Sequence, residues 1–207
     1  MVRKPPDRQQ RRAAHQEATL DAAVALLDRH GPEGLTMPAL AQEVGAAVGA
    51  LYRWFPSKEA LLVALQLRAI DELADLLAVR EAAAGDDALH RVRVVFGTWA
   101  VWATRSPALF ALVDGALSDP RRQLDADLVR PVDEAMAEIL ARCAAILANA
   151  TQAGVLSPGD PGLRALALFA AVRGARHLTK RDDRAQPGHV ARRIEAELVE
   201  TLLRGWS

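Results

Sequence analysis

The chain has 207 residues, 51% of them hydrophobic and 25% charged, with 26 Lys and Arg balanced by 26 Asp and Glu and a single cysteine, Cys143. That composition excludes a disordered polymer and a disulfide-built secreted scaffold, and it is ample for a small module joined to a larger helical body. No run approaches the roughly 18 uninterrupted apolar residues of a membrane span, and no apolar run follows the charged N-terminus as in a secretory signal, so a soluble cytoplasmic protein with no membrane partner is expected.

Zero net charge hides an asymmetry. Arg3, Lys4, Arg8, Arg11 and Arg12 face only Asp7 in the first dozen residues, while Asp71, Glu72, Asp75, Glu81, Asp86 and Asp87 gather further on. A basic arm ahead of a balanced body suits electrostatic approach to a polyanion. Apolar residues recur at helical spacing throughout, with no alternation of strand type, so the fold class is all-α. Breaks at residues 30–34, 44–47, 55–57, 84–87, 105–107, 118–120, 153–162 and 181–188 leave three short helices and then about six longer ones, about nine in all.

The first helix is expected from about Arg8 to His30, with Ala18, Ala22, Ala25 and Leu26 on its buried face and Gly31 as its stop. The second begins at Thr36, whose hydroxyl can cap the free N–H of Ala39; Pro38 is tolerated because first-turn amides lack intrahelical partners. Met37, Leu40, Ala41 and Val44 form its inner face, and Gly45 ends it.

The third helix lies in "AAVGALYRWFPSKEALL", residues 46–62, which crowds Tyr52, Trp54 and Phe55 beside Arg53 and Lys58 in a chain otherwise poor in rings. On a wheel of 100° steps Val48, Leu51, Tyr52 and Phe55 fall within about 60° of one another, the side expected to be buried. Arg53 and Ala50 then point outward, flanked by Gly49 and Trp54. A nearly bare floor carrying one long cation suits a helix whose backbone must approach a large rigid surface. Two short helices joined by a tight glycine turn describe a helix-turn-helix, and a helix fits the major groove, where arginine is well shaped for guanine. Ser57 is placed to cap a fourth helix whose free N–H groups favour a phosphate, with Lys58 beside it.

The stretch "GLTMPALAQEVGAAVGALYRWFPSKEALL" resembles the DNA-binding segment of the TetR family of one-component transcriptional repressors, over about residues 8 to 66. The resemblance implies an N-terminal three-helix DNA-binding domain, residues 1–56, and a helical ligand-binding and dimerisation domain, residues 57–207. It implies phosphate contacts from Thr36, Tyr52 and Lys58 and groove contacts from Gly49, Ala50, Arg53 and Trp54 on double-stranded DNA. Ala47, where many relatives place a capping serine, belongs to the same DNA-facing set. That alanine, and Pro38 where relatives often have a polar or basic residue, weaken the anchoring of the second helix and the turn.

Beyond residue 57, a long helix to about Ala83 should point Leu61, Leu65, Ile70, Leu73 and Leu77 inward, and the next should carry Leu89, Val92, Phe96, Trp99 and Trp102 on one broad face. Phe96, Trp99, Trp102, Phe110, Met136 and Arg173 are the expected contacts of a small, mostly apolar effector, with Asp114 as a further candidate. Asp114 and Arg173 stand inside apolar runs, where burial demands a partner or a ligand; a mutual salt bridge is the competing reading. A homodimer is expected through Leu163, Leu166, Phe169, Ala170 and His177 on one of the last two helices and Val190, Ile194, Leu198, Leu202 and Trp206 on the other.

The five histidines are scattered and show no metal-ligand spacing, and there is no nucleophile elbow or phosphate-cradling glycine loop. No catalytic residue, metal or cofactor is expected. The sequence therefore points to a ligand-responsive, DNA-binding transcriptional repressor; its rival is a helical small-molecule-binding protein or enzyme with an incidental helical hairpin, which would show no DNA affinity dependent on salt and sequence.

Overall fold

The computed structural model describes residues 8–118, 126–179 and 189–207, and among these it is wholly helical: α1 (Arg8–Gly34), α2 (Met37–Glu43), α3 (Val48–Trp54), α4 (Lys58–Ala83), α5 (Ala88–Arg105), α6 (Pro107–Ser118), α7 (Ala126–Gln152), α8 (Pro161–Thr179) and α9 (His189–Trp206). The basic arm's residues 1–7 and the expected breaks after 118 and at 181–188 lie outside the described residues.

Each predicted stop has a local cause. Gly31 adopts φ 68° and interrupts α1, after which Pro32 begins a single turn that ends by accepting from Leu35 N–H. Thr36 accepts from Ala39 N–H at 3.2 Å and Ser57 from Ala60 N–H at 3.1 Å, so both expected caps form. Asp87 caps α5 through His90 N–H at 2.9 Å. That bond holds the Asp87 carboxyl below its ordinary range.

The buried face of α1 is displaced from the expected one. Thr19, Leu20, Ala23, Leu26 and Leu27 are buried, whereas Ala18 and Ala25 are exposed. Alanines at helical spacing are poor markers because their small side chains gain little from burial; the leucines decide the rotation.

Two cores follow from this order. The first gathers Leu20, Leu26, Leu27, Leu35, Leu40, Leu51, Phe55, Leu61 and Leu65 from α1 to α4, and also Leu112 of α6. The second contains Ile70, Leu73, Leu77, Phe96, Trp99, Trp102, Phe110, Met136, Leu147, Leu168 and Leu203, spanning α4 to α9. Helix α4 contributes to both, Leu61 and Leu65 to the first and Val63, Ala69, Ile70, Leu73 and Leu77 to the second. Helix α6 is shared too: Leu112 enters the first core, Leu109, Phe110 and Val113 the second.

Ion pairs join the layers. Glu81 of α4 holds Arg91 of α5 at 2.9 Å and Arg142 of α7 at 2.8 Å, and Arg93 of α5 holds Glu200 of α9 at 2.5 Å. That contact raises the Arg93 pKa and lowers the Glu200 one. Both partners are more than a third exposed, so the pair fixes orientation more than it stabilises.

Candidate functional site

The turn between α2 and α3 is tight because its backbone closes on itself. Val44 N–H donates to Leu40 O at 3.0 Å, Gly45 to Gln42 O at 3.2 Å and Ala46 to Ala41 O at 2.9 Å. Gly45 sits at φ 65°, a left-handed conformation that a side chain would strain. Ala47 then starts α3 with no side-chain cap bond, as the missing hydroxyl requires.

Helix α3 is rotated from the sequence expectation. Leu51 and Phe55 are buried as expected, but Val48, placed on the inner face, is 36% exposed, and Tyr52 is 47% exposed. Two causes account for this. Phe55 is the C-cap, in extended conformation, so helical periodicity does not set its direction. Trp54, expected on the outward flank, is half-buried; its ring stacks on His15 of α1 with centroids 5.5 Å apart and planes 8° apart. That stack turns Trp54 and the half-buried Ala50 toward the body. The exposed arc is Val48, Tyr52, Gly49 and Arg53, spanning about 140° of the wheel.

The exposed arc combines a branched apolar side chain, a phenol, a bare backbone and a guanidinium. A Cβ placed on Gly49 would meet nothing within 4 Å, so nothing inside the protein demands the glycine. Lys58 follows as the first residue of α4, half-buried beside the Ser57 cap. Thr36 is exposed at the start of α2. Of the residues expected to face DNA, Thr36, Ala47, Gly49, Tyr52 and Arg53 are exposed and Lys58 is half-buried, whereas Ala50 and Trp54, expected on the outward side, are half-buried.

The expected effector residues converge as well. Trp99 meets Trp102, Phe110 and Phe169 edge to face, with centroids 5.4, 5.8 and 4.9 Å apart, and Trp102 meets Phe110 at 5.6 Å. Met136 is buried in the same core. Asp114 and Arg173 bond to each other, Arg173 Nε donating to Asp114 Oδ1 at 3.1 Å and Arg173 Nη2 to the Asp114 carbonyl at 3.3 Å. The salt-bridge reading of that pair is the one the fold realises.

A cavity of about 30 Å³ lies where α4, α5, α7 and α8 meet, walled by Leu73, Leu77, Phe96, Trp99, Ile139, Cys143, Phe169 and Val172 among others. Only Phe96 and Trp99 of the expected effector residues line it. Phe169, assigned from sequence to a dimer face, lines it too. The reason is periodicity: Phe169 lies at i+3 from Leu166, close enough to share its stripe but far enough round to reach the interior.

The sequence profile of bacterial regulatory proteins of the tetR family matches residues 20–65, the segment that builds the first core, the turn and α3. Residues 20–65 are a tetR-family segment. It is 37% identical over 90 residues to the HTH-type transcriptional repressor KstR of Mycolicibacterium smegmatis, a match covering 44% of each sequence, so the chain spans less than half the length of that relative. A Rhodococcus sp. RHA1 protein described as of unknown function shares 25% identity and superposes with a TM-score of 0.75 over 92% of this chain and 94% of that one. AibR, solved in complex with isovaleryl coenzyme A and operator DNA, superposes with a TM-score of 0.68 at 20% identity, over 90% of this chain and 96% of AibR.

Four large apolar side chains of α8 and α9 are exposed among the described residues: Leu163 at 66%, Leu166 at 49%, Val190 at 41% and Ile194 at 38%. Ala170 is also exposed. Leu202 and Trp206, expected beside them, instead pack on the second core, with the Arg164 guanidinium 5.0 Å over the Trp206 ring; Leu198 is half-buried, and the His177 side chain lies outside the described residues.

Two charged groups that no local pattern singles out are buried between α8 and α9. Arg176 of α8 and Glu195 of α9 pair at 2.5 Å with side chains only 11% and 5% exposed, and Arg176 also donates to the Ala100 carbonyl at 3.0 Å. Burial raises the Glu195 pKa above the usual carboxylate range, against the lowering effect of Arg176. Cys143 is buried in the second core, and desolvation pushes its thiol up to about 11 from an ordinary value of 9.0. Native protein at pH 8 is therefore expected to resist thiol reagents that label the unfolded chain at once. The unfolded thiol ionises first on alkalinisation, so the Cys143 contribution lowers stability as pH rises from about 9 to 11, an effect that Cys143→Ala removes.

Proposed function

We propose that the protein is a ligand-responsive transcriptional repressor that binds double-stranded DNA as a homodimer through α2 and α3, and that a small, largely apolar effector held in the second core releases it. The observation that carries this reading is the exposed arc of α3, where Val48, Gly49, Tyr52 and Arg53 present apolar, bare, phenolic and cationic surface in one contiguous strip beside Lys58. A core-building hairpin has no use for such a strip, whereas a major groove offers thymine methyls, guanine edges and flanking phosphates to match it. The names of KstR, a repressor, and of AibR, with a coenzyme A ester and operator DNA, support the same reading.

In this proposal residues 1–56 form the DNA-binding domain, and residues 57–207 sense and dimerise. Helix α6 couples the two, since Leu112 sits among the first-core leucines while Phe110 and Val113 sit with the tryptophans, and Asp114 ties the helix to Arg173 on α8. An effector that spreads the second core shifts α6, and Leu112 carries that shift to the base of α1. Release then depends on the effector preferring the shifted state, because equal affinity for both states moves no population.

The test is selection of binding sites from random duplex DNA. The expected product is a palindrome whose half-sites lie about one helical turn or a multiple of it apart, bound with an affinity that falls steeply with salt. Leu166→Arg, at a surface position, should leave the fold intact and lose both dimerisation and palindrome preference. Recovery of no preferred sequence, or a monomer at micromolar concentration that selects a single half-site, overturns the dimeric repressor.

A further inference from the structure

Helix α3 has seven residues, and few contacts fix its roll about its own axis. Leu51, fully buried, seats it in the first core, but a contact among leucines is non-directional. Phe55 lies past the helix end in extended conformation and steers the exit of the chain, while Ala47 supplies no side-chain bond at the start. Among the described residues the one directional side-chain contact of α3 is the stack of Trp54 on His15, with centroids 5.5 Å apart and planes 8° apart.

That stack is placed to set the roll. Trp54 stands about 60° round the wheel from Leu51, so α3 is held at two points of its circumference and not at one. His15 is itself well anchored through its helix. Leu20, Ala23, Leu26 and Leu27 seat α1 in the first core, Arg29 ties it to Glu43 of α2 at 2.7 Å, and Asp21 ties it to Arg68 of α4. Thr19, one turn on, donates its hydroxyl to the His15 carbonyl at 2.7 Å. The imidazole is exposed, so the core does not depend on it. It is a ring on a fixed helix, lying flat against an indole that is half-buried on the first core.

What the stack steadies is the outward arc. Arg53, next to Trp54 in sequence, projects about 100° away from it and is exposed. At the outer radius of a helix, about 5–6 Å, a roll of about 20° carries a side-chain end by about 2 Å. A hydrogen bond to a base edge spans only about 0.5 Å between its shortest and longest useful lengths. Attraction to phosphate is more tolerant, because it decays over a Debye length of roughly 8–10 Å. An unsteady roll therefore costs base readout and spares backbone attraction.

We infer that His15 is a positioning residue for DNA recognition: its ring holds Trp54, fixes the roll of α3 and so aims Arg53 at its base pair. This inference rests on the reading that α3 enters the major groove, and it gives α1 a part in specificity that the distance of His15 from the turn in sequence conceals. It also accounts for the inward direction of the tryptophan beside Arg53, which meets α1 and not the nucleic acid.

The experiment compares affinity for the duplex that wild type selects from random DNA with affinity for random duplex, at one salt concentration, in His15→Ala, His15→Leu, His15→Phe, Trp54→Leu and the His15→Ala, Trp54→Leu double variant, each checked for folding by thermal unfolding. His15→Ala and His15→Leu should lower the ratio of operator to random affinity by about two- to ten-fold per half-site, the worth of one aromatic pair, and leave random binding unchanged. His15→Phe, which restores a ring without a charge, should recover the ratio. The double variant should be no less selective than Trp54→Leu alone, since either substitution already removes the stack. In proton NMR spectra of the free protein the His15 ring C–H signals, identified by their absence from His15→Phe, should move downfield in Trp54→Leu as the indole ring current is lost. A His15→Ala protein with wild-type selectivity, an equal loss on operator and random duplex, which marks a phosphate contact, a His15→Phe protein no better than His15→Leu, additive losses in the double variant, or His15 signals unmoved by Trp54→Leu overturns the inference. A wild type that selects no sequence defeats the groove reading and this role with it, whereas a selective wild type matched by His15→Ala defeats this role alone.

Discussion

Arg176→Met should lower stability by about 3–5 kcal/mol, the cost of leaving one member of a buried ion pair without the other. For a chain of this size that corresponds to a fall in Tm of about 10 °C. The magnitude follows from position: Glu195 is 4% exposed, and Arg176 ties α8 to α9, to the Ala100 carbonyl of α5 and, through its guanidinium 5.4 Å from the Phe110 ring, to α6. The loss should depend on pH with a determinate sign. Glu195 already holds its proton more tightly in the folded protein than in the unfolded chain, and removing Arg176 removes the group that opposes this. The folded variant then binds the extra proton, so its stability rises as pH falls through the raised Glu195 range and is lowest at neutral pH and above. Arg176→Met with Glu195→Gln should recover most of the loss and flatten the pH dependence. Calorimetric melts of the three variants between pH 5 and pH 8 decide it, and a single variant within about 1 kcal/mol of wild type would show the pair to be dispensable.

That pair was not legible in the sequence, and the reason is physical. Arg176 and Glu195 are separated by the 180–188 segment and lie in helices already rich in arginine and glutamate, so nothing local distinguishes them from solvated charges. Asp114 and Arg173 were legible because each interrupts an apolar run. The elements themselves were readable where punctuation is chemical: Gly31, Thr36, Gly45 and Ser57 all act at the ends they mark. Faces were readable only where the apolar side chains are large. On α1 the alanines misled and the leucines did not; on α3 a residue beyond the helix end distorted the wheel, and a stack with His15, some forty residues away in sequence, fixed the rotation. The cavity residues Leu73, Ile139, Cys143 and Val172 look like ordinary core in sequence because they come from three helices whose convergence only the fold supplies.

The rotation of α3 changes what its residues should do on DNA, and the largest effect on recognition is expected at Arg53. Its exposed guanidinium stands on the outward arc, so Arg53→Ala should cost about 1–3 kcal/mol on the selected operator and much less on random duplex, as lost base-edge bonds would. Lys58 sits at the start of α4, beside the Ser57 cap, where its charge is expected to meet a phosphate and not the bases. Lys58→Ala should weaken binding to all sequences alike and reduce the slope of log K against log salt by about one unit for each phosphate contact removed. Tyr52→Phe should also be indifferent to sequence, yet leave the salt slope nearly unchanged, because the lost hydroxyl is neutral. Val48, exposed where the sequence pattern had buried it, is the one apolar group on the arc and suits a thymine methyl. Replacing each operator thymine by uracil should therefore weaken wild type at one position per half-site and leave Val48→Ala unaffected there. Gly49 separates folding from recognition. With no protein atom within 4 Å of its would-be Cβ, Gly49→Leu should fold at least as well as wild type, since a helix interior gains about 0.5–1 kcal/mol when glycine is replaced, but should block approach to the groove floor. Titrations of these five variants against operator and random duplex at several salt concentrations distinguish the roles, and an Arg53→Ala protein that keeps full operator affinity alongside a Gly49→Leu protein that does the same would remove α3 from the groove.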